Sequence, residues 1–260
     1  MTKNNLRTTI AYIALSSLLV VGAASCVTDE PTEEDYDDVA QGISVAISDG
    51  QGGGDMGSIA DALSLAAAIT PDGFSATAEG SYQGQHAGLN YSYEITCRDA
   101  AGGPAVACNP DTTDEARLVV AWDGTLDLPQ YDAAATRTGD WTLSGIQSGT
   151  ATLNGDGSFS FDSEFMSLDG NRMRTWQLDY AASYDGVQID VDTAAAVGGN
   201  AVFNVAARRT ASNRFRDVEA EFDIEVDVTF NGDGTATLLL DGSRSYELEL
   251  ASGVVIKRSL

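Results

Sequence analysis

The strongest constraint on this chain is an alternation of apolar and charged residues with a period of two. In its longest run Val218, Ala220, Phe222, Ile224, Val226 and Val228 alternate with Glu219, Glu221, Asp223, Glu225 and Asp227. Successive side chains of a strand point to opposite faces, so this pattern predicts a strand with one buried and one wet face. Strands of that kind belong to antiparallel sheets, because parallel sheets are covered on both sides. The period recurs at Leu89, Tyr91, Tyr93 and Ile95, at Phe159, Phe161 and Phe165, and at Trp176, Leu178 and Tyr180. It returns at Val187, Ile189 and Val191, and again at Tyr246, Leu248 and Leu250.

Turn signals separate these runs. Asn154-Gly155-Asp156-Gly157 and Asn231-Gly232-Asp233-Gly234 read as hairpin turns, since Asn-Gly and Asp-Gly supply the positive φ angles that tight turns need. Asp169-Gly170-Asn171, Asp185-Gly186, Asp241-Gly242 and Ser252-Gly253 read the same way. The spacing predicts about a dozen strands, more than a twisted open sheet usually holds without curling or splitting. The expected fold class is therefore all-β: a large antiparallel meander curled into a half-barrel or barrel, with a β-sandwich as the alternative. Short turns and the absence of a long crossover segment favour the curled sheet.

Ahead of the strands, Val39, Ile43, Ala46 and Ile47 fall at helical spacing, as do Ile59, Leu63, Ala66 and Ala67 between Met56 and Ile69. One or two short N-terminal helices are expected, the second capped by Asp55 or Ser58 and stopped before Pro71. Gln51-Gly52-Gly53-Gly54 between them reads as a hinge. It lacks the lysine and the preceding strand of a phosphate-binding loop. A helix leading into a curled meander resembles, in architecture alone, the bacterial lipoprotein carriers.

The first residues carry Lys3 and Arg7 and no acid, followed by the apolar stretch Ile10 to Val21 and then Ala23-Ala24-Ser25-Cys26. A positive start, an apolar middle and a small-residue exit form a secretory signal, and the apolar stretch falls short of the roughly 20 residues of a membrane span. The residues alone also allow ordinary cleavage that leaves Cys26 a plain thiol. Ala23-Ala24-Ser25-Cys26 resembles the lipobox of bacterial lipoproteins, with Ala23 where that family usually has leucine. The resemblance implies that Cys26 is diacylated and becomes the first residue of the mature chain. Val27 and Thr28 lack the aspartate that family sorting rules associate with inner-membrane retention, which implies the outer membrane in a Gram-negative host. Two or three acyl chains anchor stably where one binds marginally. The expected division is a signal peptide over 1–25, an acidic tether over 26–38 and one globular domain over 39–260, helical in 39–69 and antiparallel β in 74–260.

Loss of 1–25 removes two of the 14 bases and none of the 39 acids, which takes the net charge from −25 to −27. A surface so acidic repels nucleic acid and anionic lipid, so neither is an expected partner beyond the acyl anchor. Seven of the residues 26–38 are acids, and their mutual repulsion suits a spacer. The remaining cysteines, Cys97 and Cys108, flank a turn-rich loop in an exported chain and are expected to form a disulfide.

No catalytic constellation stands out. His86, the only histidine, lies in the polar turn Gln83 to Gly88 without a nucleophile elbow to serve. The acids are too many to single out a catalytic pair. The Asn-Gly-Asp-Gly segments resemble part of a calcium loop, but strands rather than helices flank them. No metal site and no cofactor is expected. Arg208, Arg209, Arg214 and Arg216 form one basic cluster, either a partner-binding site or a set of cross-strand pairs with neighbouring acids. The functional expectation is a lipid-anchored cell-envelope protein of non-catalytic binding or structural role. The alternatives are a carrier of an apolar ligand within the curled sheet and a carboxylate-dependent hydrolase.

Overall fold

Thr32 starts the first helix, α1 (Glu33–Ile47), through a reciprocal cap. Its hydroxyl accepts from the Asp35 backbone N–H at 3.3 Å, while the Asp35 carboxylate accepts from the Thr32 N–H at 2.8 Å. Glu33, Glu34 and Asp35 fill the first turn, where the positive end of the helix dipole favours acids. The helix therefore begins at Glu33 rather than Val39, and the acids from 33 to 38 belong to it rather than to the tether. The second helix, α2 (Asp55–Ala66), follows an N-cap at Gly54; neither Asp55 nor Ser58 caps it. It ends short of Ile69, with Ala68 at φ 60°.

The computed structural model describes residues 30–48, 54–86, 88–103, 107–128, 131–166, 173–213 and 216–259. Gln51, Gly52 and Gly53 of the expected hinge, the Asp169-Gly170-Asn171 turn and Cys26 lie outside them. Twelve strands are described: β1 (Phe74–Ala78), β2 (Ser81–His86), β3 (Leu89–Asp99), β4 (Thr113–Leu128), β5 (Tyr131–Ser144), β6 (Thr150–Met166), β7 (Met173–Asp190), β8 (Ala196–Asn213), β9 (Arg216–Phe230), β10 (Thr235–Leu240), β11 (Arg244–Glu249) and β12 (Val255–Arg258). Each pairs with the next, so that one antiparallel meander runs from β1 to β12 without closing.

Asn231-Gly232-Asp233-Gly234, Asp241-Gly242 and Ser252-Gly253 are turns, as their residues predict. Asn154-Gly155-Asp156-Gly157 and Asp185-Gly186 are not: they lie inside β6 and β7. The pairing register slips between Leu153 and Gly155 on one strand and between Asp185 and Gln188 on the other. The Gly186 N–H donates to the Asn154 side chain at 2.9 Å across the gap. Two turn signatures opposite one another thus make a bend in two long strands, because bulges kink and twist a sheet where a turn would end it. Gly155 sits at φ 138°, and a Cβ there would overlap the Asp140 carbonyl.

The alternation decides the faces. Phe222, Ile224, Val226 and Val228 are buried while Glu221, Asp223, Glu225 and Asp227 are exposed. Tyr91, Trp122, Phe159, Tyr180 and Phe203 pack as neighbours across β3, β4, β6, β7 and β8, with ring centroids 5.1–6.2 Å apart. Both helices lie on this inner face. α2 packs on β3 and β4, and α1 reaches β10, β11 and β12. One buried face that touches a common helical pair from β3 to β12 is a curled sheet wrapped around a plug.

The Cys97–Cys108 disulfide staples the loop after β3, with the two Cα atoms 5.2 Å apart. A closure that short stabilises by roughly 2–3 kcal/mol on loop-entropy grounds.

The faces of β9 should answer oppositely to substitution. Phe222→Ala should cost about 3–5 kcal/mol, whereas Asp223→Asn should stay within about ±0.5 kcal/mol, both read by urea denaturation. The reverse order would place the wet face in the core.

Candidate functional site

The expected basic cluster is divided by the same alternation. Arg208 projects from the outer face and pairs with Glu219 and, at 3.3 Å, Glu221. Arg209 points inward, where its guanidinium meets the fully buried Asp35 at 2.9 Å. Arg214 lies outside the described residues. Arg216 opens β9 opposite Asn213, and its side chain is not among those described. The two described arginines therefore do not form one partner-binding patch, because adjacent residues of a strand face opposite ways. Each is already engaged with acids.

A second buried ion pair lies deeper, and neither of its members was expected at a site. Asp55, at the start of α2, pairs with Arg137 of β5, and both side chains are about 1% exposed. The Tyr184 hydroxyl donates to the same carboxylate. Trp141 and Trp122 flank the guanidinium, with ring centroids 5.0 and 5.9 Å from its central carbon. Trp141 can lie there because β5 has a glycine beside it: a Cβ at Gly139 would overlap the indole. Burial pulls the arginine down from its ordinary value, yet that value is so high that the side chain keeps its charge. Burial likewise pushes the Tyr184 hydroxyl well up, so it remains a donor. The cluster is charge-neutral and closed, with no acid or base free to exchange protons with a substrate.

α1 is tied to the last strands by a polar clamp. The Tyr36 and Tyr246 hydroxyls donate to Asp241 and Asp37, each at 2.7 Å. Lys257 bridges Glu33 at 3.0 Å and Asp37 at 2.9 Å, while Arg244 meets Glu33 at 2.9 Å and lies over the Tyr36 ring. Burial, then the neighbouring aspartates, raise both tyrosines to about 12. Lys257 and Arg244 lower Glu33; Tyr246 and Lys257 lower Asp37 against the desolvation that would raise it. Across the inner face, the Tyr93 hydroxyl reaches Asp61 of α2 at 2.9 Å.

A broad concavity lies on the outer face. It is an open trough of about 970 Å³ crossing β2 to β8 at right angles to the strands. Its floor is the backbone of one cross-strand row, Tyr91, Trp122, Arg137, Phe159 and Tyr180, whose side chains turn inward. One wall follows the pairing Asn90, Asp123, Thr136, Ser160, Asp179 and Ala206. The other follows Ser92, Ala121, Thr138, Ser158, Ala181 and Asn204. A smaller trough of about 540 Å³ continues it over Asp179 and Ala206 to Asp223 of β9. The walls are short hydroxyls, amides and carboxylates interspersed with Ala121, Ala181 and Ala206, and Thr138 and Ser158 bond to each other at 2.8 Å.

The other expected sites are placed as follows. His86 is the last residue of β2, paired with Leu89; its side chain is not among those described. In the Asn231 to Gly234 turn, Asp233 accepts from the Thr235 N–H at 3.1 Å and hydroxyl at 2.6 Å, and these bonds lower its carboxyl. Its Oδ1 serves the turn itself. No family model, curated protein or solved structure matches the chain.

Arg137→Met should cost about 3–5 kcal/mol by stranding a buried carboxylate. Adding Asp55→Leu should recover most of that loss, less about 1 kcal/mol for the Tyr184 hydroxyl left without its acceptor. Urea denaturation of the two single variants and the double variant checks this, and additive losses would contradict it.

The α1 clamp sets a pH window. Glu33 and Asp37 are lowered from ordinary values of 4.5 and 3.8, so their contribution is full above those values and lost as pH falls through the lower folded ones. Lys257 is raised from 10.5, so its contribution is full below that value and lost as pH rises beyond it. Lys257→Met should therefore reduce the acid-side fall in the urea midpoint relative to wild type. An unchanged profile would mean that the clamp contributes nothing.

Proposed function

We propose that this chain is a lipid-anchored cell-envelope protein with a non-catalytic binding role, held by acyl chains on Cys26 and presenting the outer face of its sheet to a partner. The observation that carries the binding reading is the contrast between the two faces. α1, α2 and the aromatic row fill the inner side, and its buried carboxylates Asp35 and Asp55 are each committed to an arginine. The outer side carries the troughs, with their donors and acceptors turned to solvent. A carrier would hold its apolar ligand where the helices and rings now pack. A hydrolase would need a desolvated carboxyl free to move a proton.

The anchor reading rests on the lipobox-like Ala23-Ala24-Ser25-Cys26 and on the acids that follow. Those acids run into α1, so the body would hang from the membrane by the end at which Glu33 meets Lys257 and Arg244. The outer membrane is the membrane this reading assigns in a Gram-negative host.

Metabolic labelling with a fatty-acid analogue should mark the wild type and leave Cys26→Ala unmarked. Equal labelling of the two proteins, or none of either, would overturn the anchor.

A further inference from the structure

The outer trough carries its charge in a line. Asp123 of β4, Asp179 of β7 and Asp223 of β9 occupy one continuous cross-strand row, with Thr136 and Ser160 between the first two and Ala206 between the last two. Strands lie about 4.8 Å apart, so successive carboxylates are about 14 and 10 Å apart along the trough. Among the described residues none of the three is paired with a cation. Asp123 accepts only from the Asn90 amide at 3.5 Å, and Asp179 from the Gln177 amide at 3.3 Å. Arg208, the base that lines the smaller trough, is engaged by Glu219 and Glu221.

We infer that this trough docks an extended basic segment of another protein. The inference rests on the binding role proposed above and gives the partner its chemistry. Charge complementarity selects a cation, in a chain of net charge −25 whose outer row lacks counter-charges. Spacing selects an extended peptide. At roughly 3.3 Å per residue with side chains alternating between faces, lysines or arginines at every second position share one face about 6.6 Å apart, and their flexible arms reach carboxylates set about 10 and 14 Å apart. The hydroxyls and amides on both walls serve a polar backbone, whose N–H and C=O groups need partners once covered. Among the described residues lining the trough no ring is presented for a sugar to stack on, because Tyr91, Trp122, Phe159 and Tyr180 all face the core. The trough crosses seven strands, about 29 Å, which accommodates about nine extended residues.

The test is fluorescence anisotropy with the mature full-length chain in neutral detergent. The probe is a labelled peptide of about ten residues with lysine at every second position and serine elsewhere. Binding should weaken as salt is raised, and the triple variant Asp123→Asn, Asp179→Asn, Asp223→Asn should lose at least tenfold in affinity. A control triple variant at exposed loop positions, Asp72→Asn, Asp111→Asn and Asp192→Asn, removes the same charge and should lose less than twofold. Equal losses in the two triple variants would show attraction to overall charge and overturn the inference, as would no binding by the wild type. Displacement of the peptide by spermine at equal charge concentration would also overturn it, since the trough would then read charge without a backbone. Labelling at Cys26 reads the anchor independently of any peptide, so the two proposals fail separately.

Discussion

A single antiparallel sheet with one apolar face has to cover that face, and most of this structure follows from how it does so. From β3 to β11 the sheet presents a continuous inner surface of aromatic and branched side chains. Left open to water, that surface would forfeit about 25 cal/mol for every Å² of apolar area. α1 and α2 are short and could not persist alone; they are stable because the curled sheet buries them. Sheet and helices thus depend on one another for cover.

Hydrophobic contact does not by itself decide where a helix sits, since it is non-directional. The buried pairs supply the direction. Asp35 with Arg209 fixes the start of α1 over β8, and Asp55 with Arg137 and Tyr184 fixes the start of α2 over β5 and β7. Buried ion pairs contribute little net stability once desolvation is counted, but a wrong placement strands two charges. Here they act as locating pins. With the interior so committed, the wet face is what the protein can offer to others, and there the strand register gathers hydroxyls and carboxylates into rows.

Much of the fold was legible because β-strand patterning is local. The period at Val218 to Val228 fixed a strand, its faces and its antiparallel partners, and the even cysteine pair fixed the staple. The bend at Asn154 and Gly186 was not legible: Asn-Gly and Asp-Gly signal positive φ, and only the facing strand determines whether that makes a turn or a bulge. The acids from Glu33 to Asp38 read as tether because the capping box between Thr32 and Asp35 was missed; a threonine followed three residues later by an acid was its visible sign. Arg137 also left a trace, an arginine in phase with the buried Ala135, Trp141 and Leu143. Its partner Asp55 left none, as the two are far apart in sequence. The outer row was invisible for a related reason, since Asp123, Asp179 and Asp223 align only once the register of six strands is known.

The dependence of the sheet on its helical plug is the centre of this account, and native-state hydrogen exchange reads it most directly. If helices and sheet cover each other, amides of α1 and α2 should exchange through the same global opening as those of β5 to β9, with equal sensitivity to low urea. Contradiction would be helices that exchange orders of magnitude faster through a local opening while the central strands stay protected. The sheet would then hold its inner face without them, and the buried pairs would locate nothing that the fold requires.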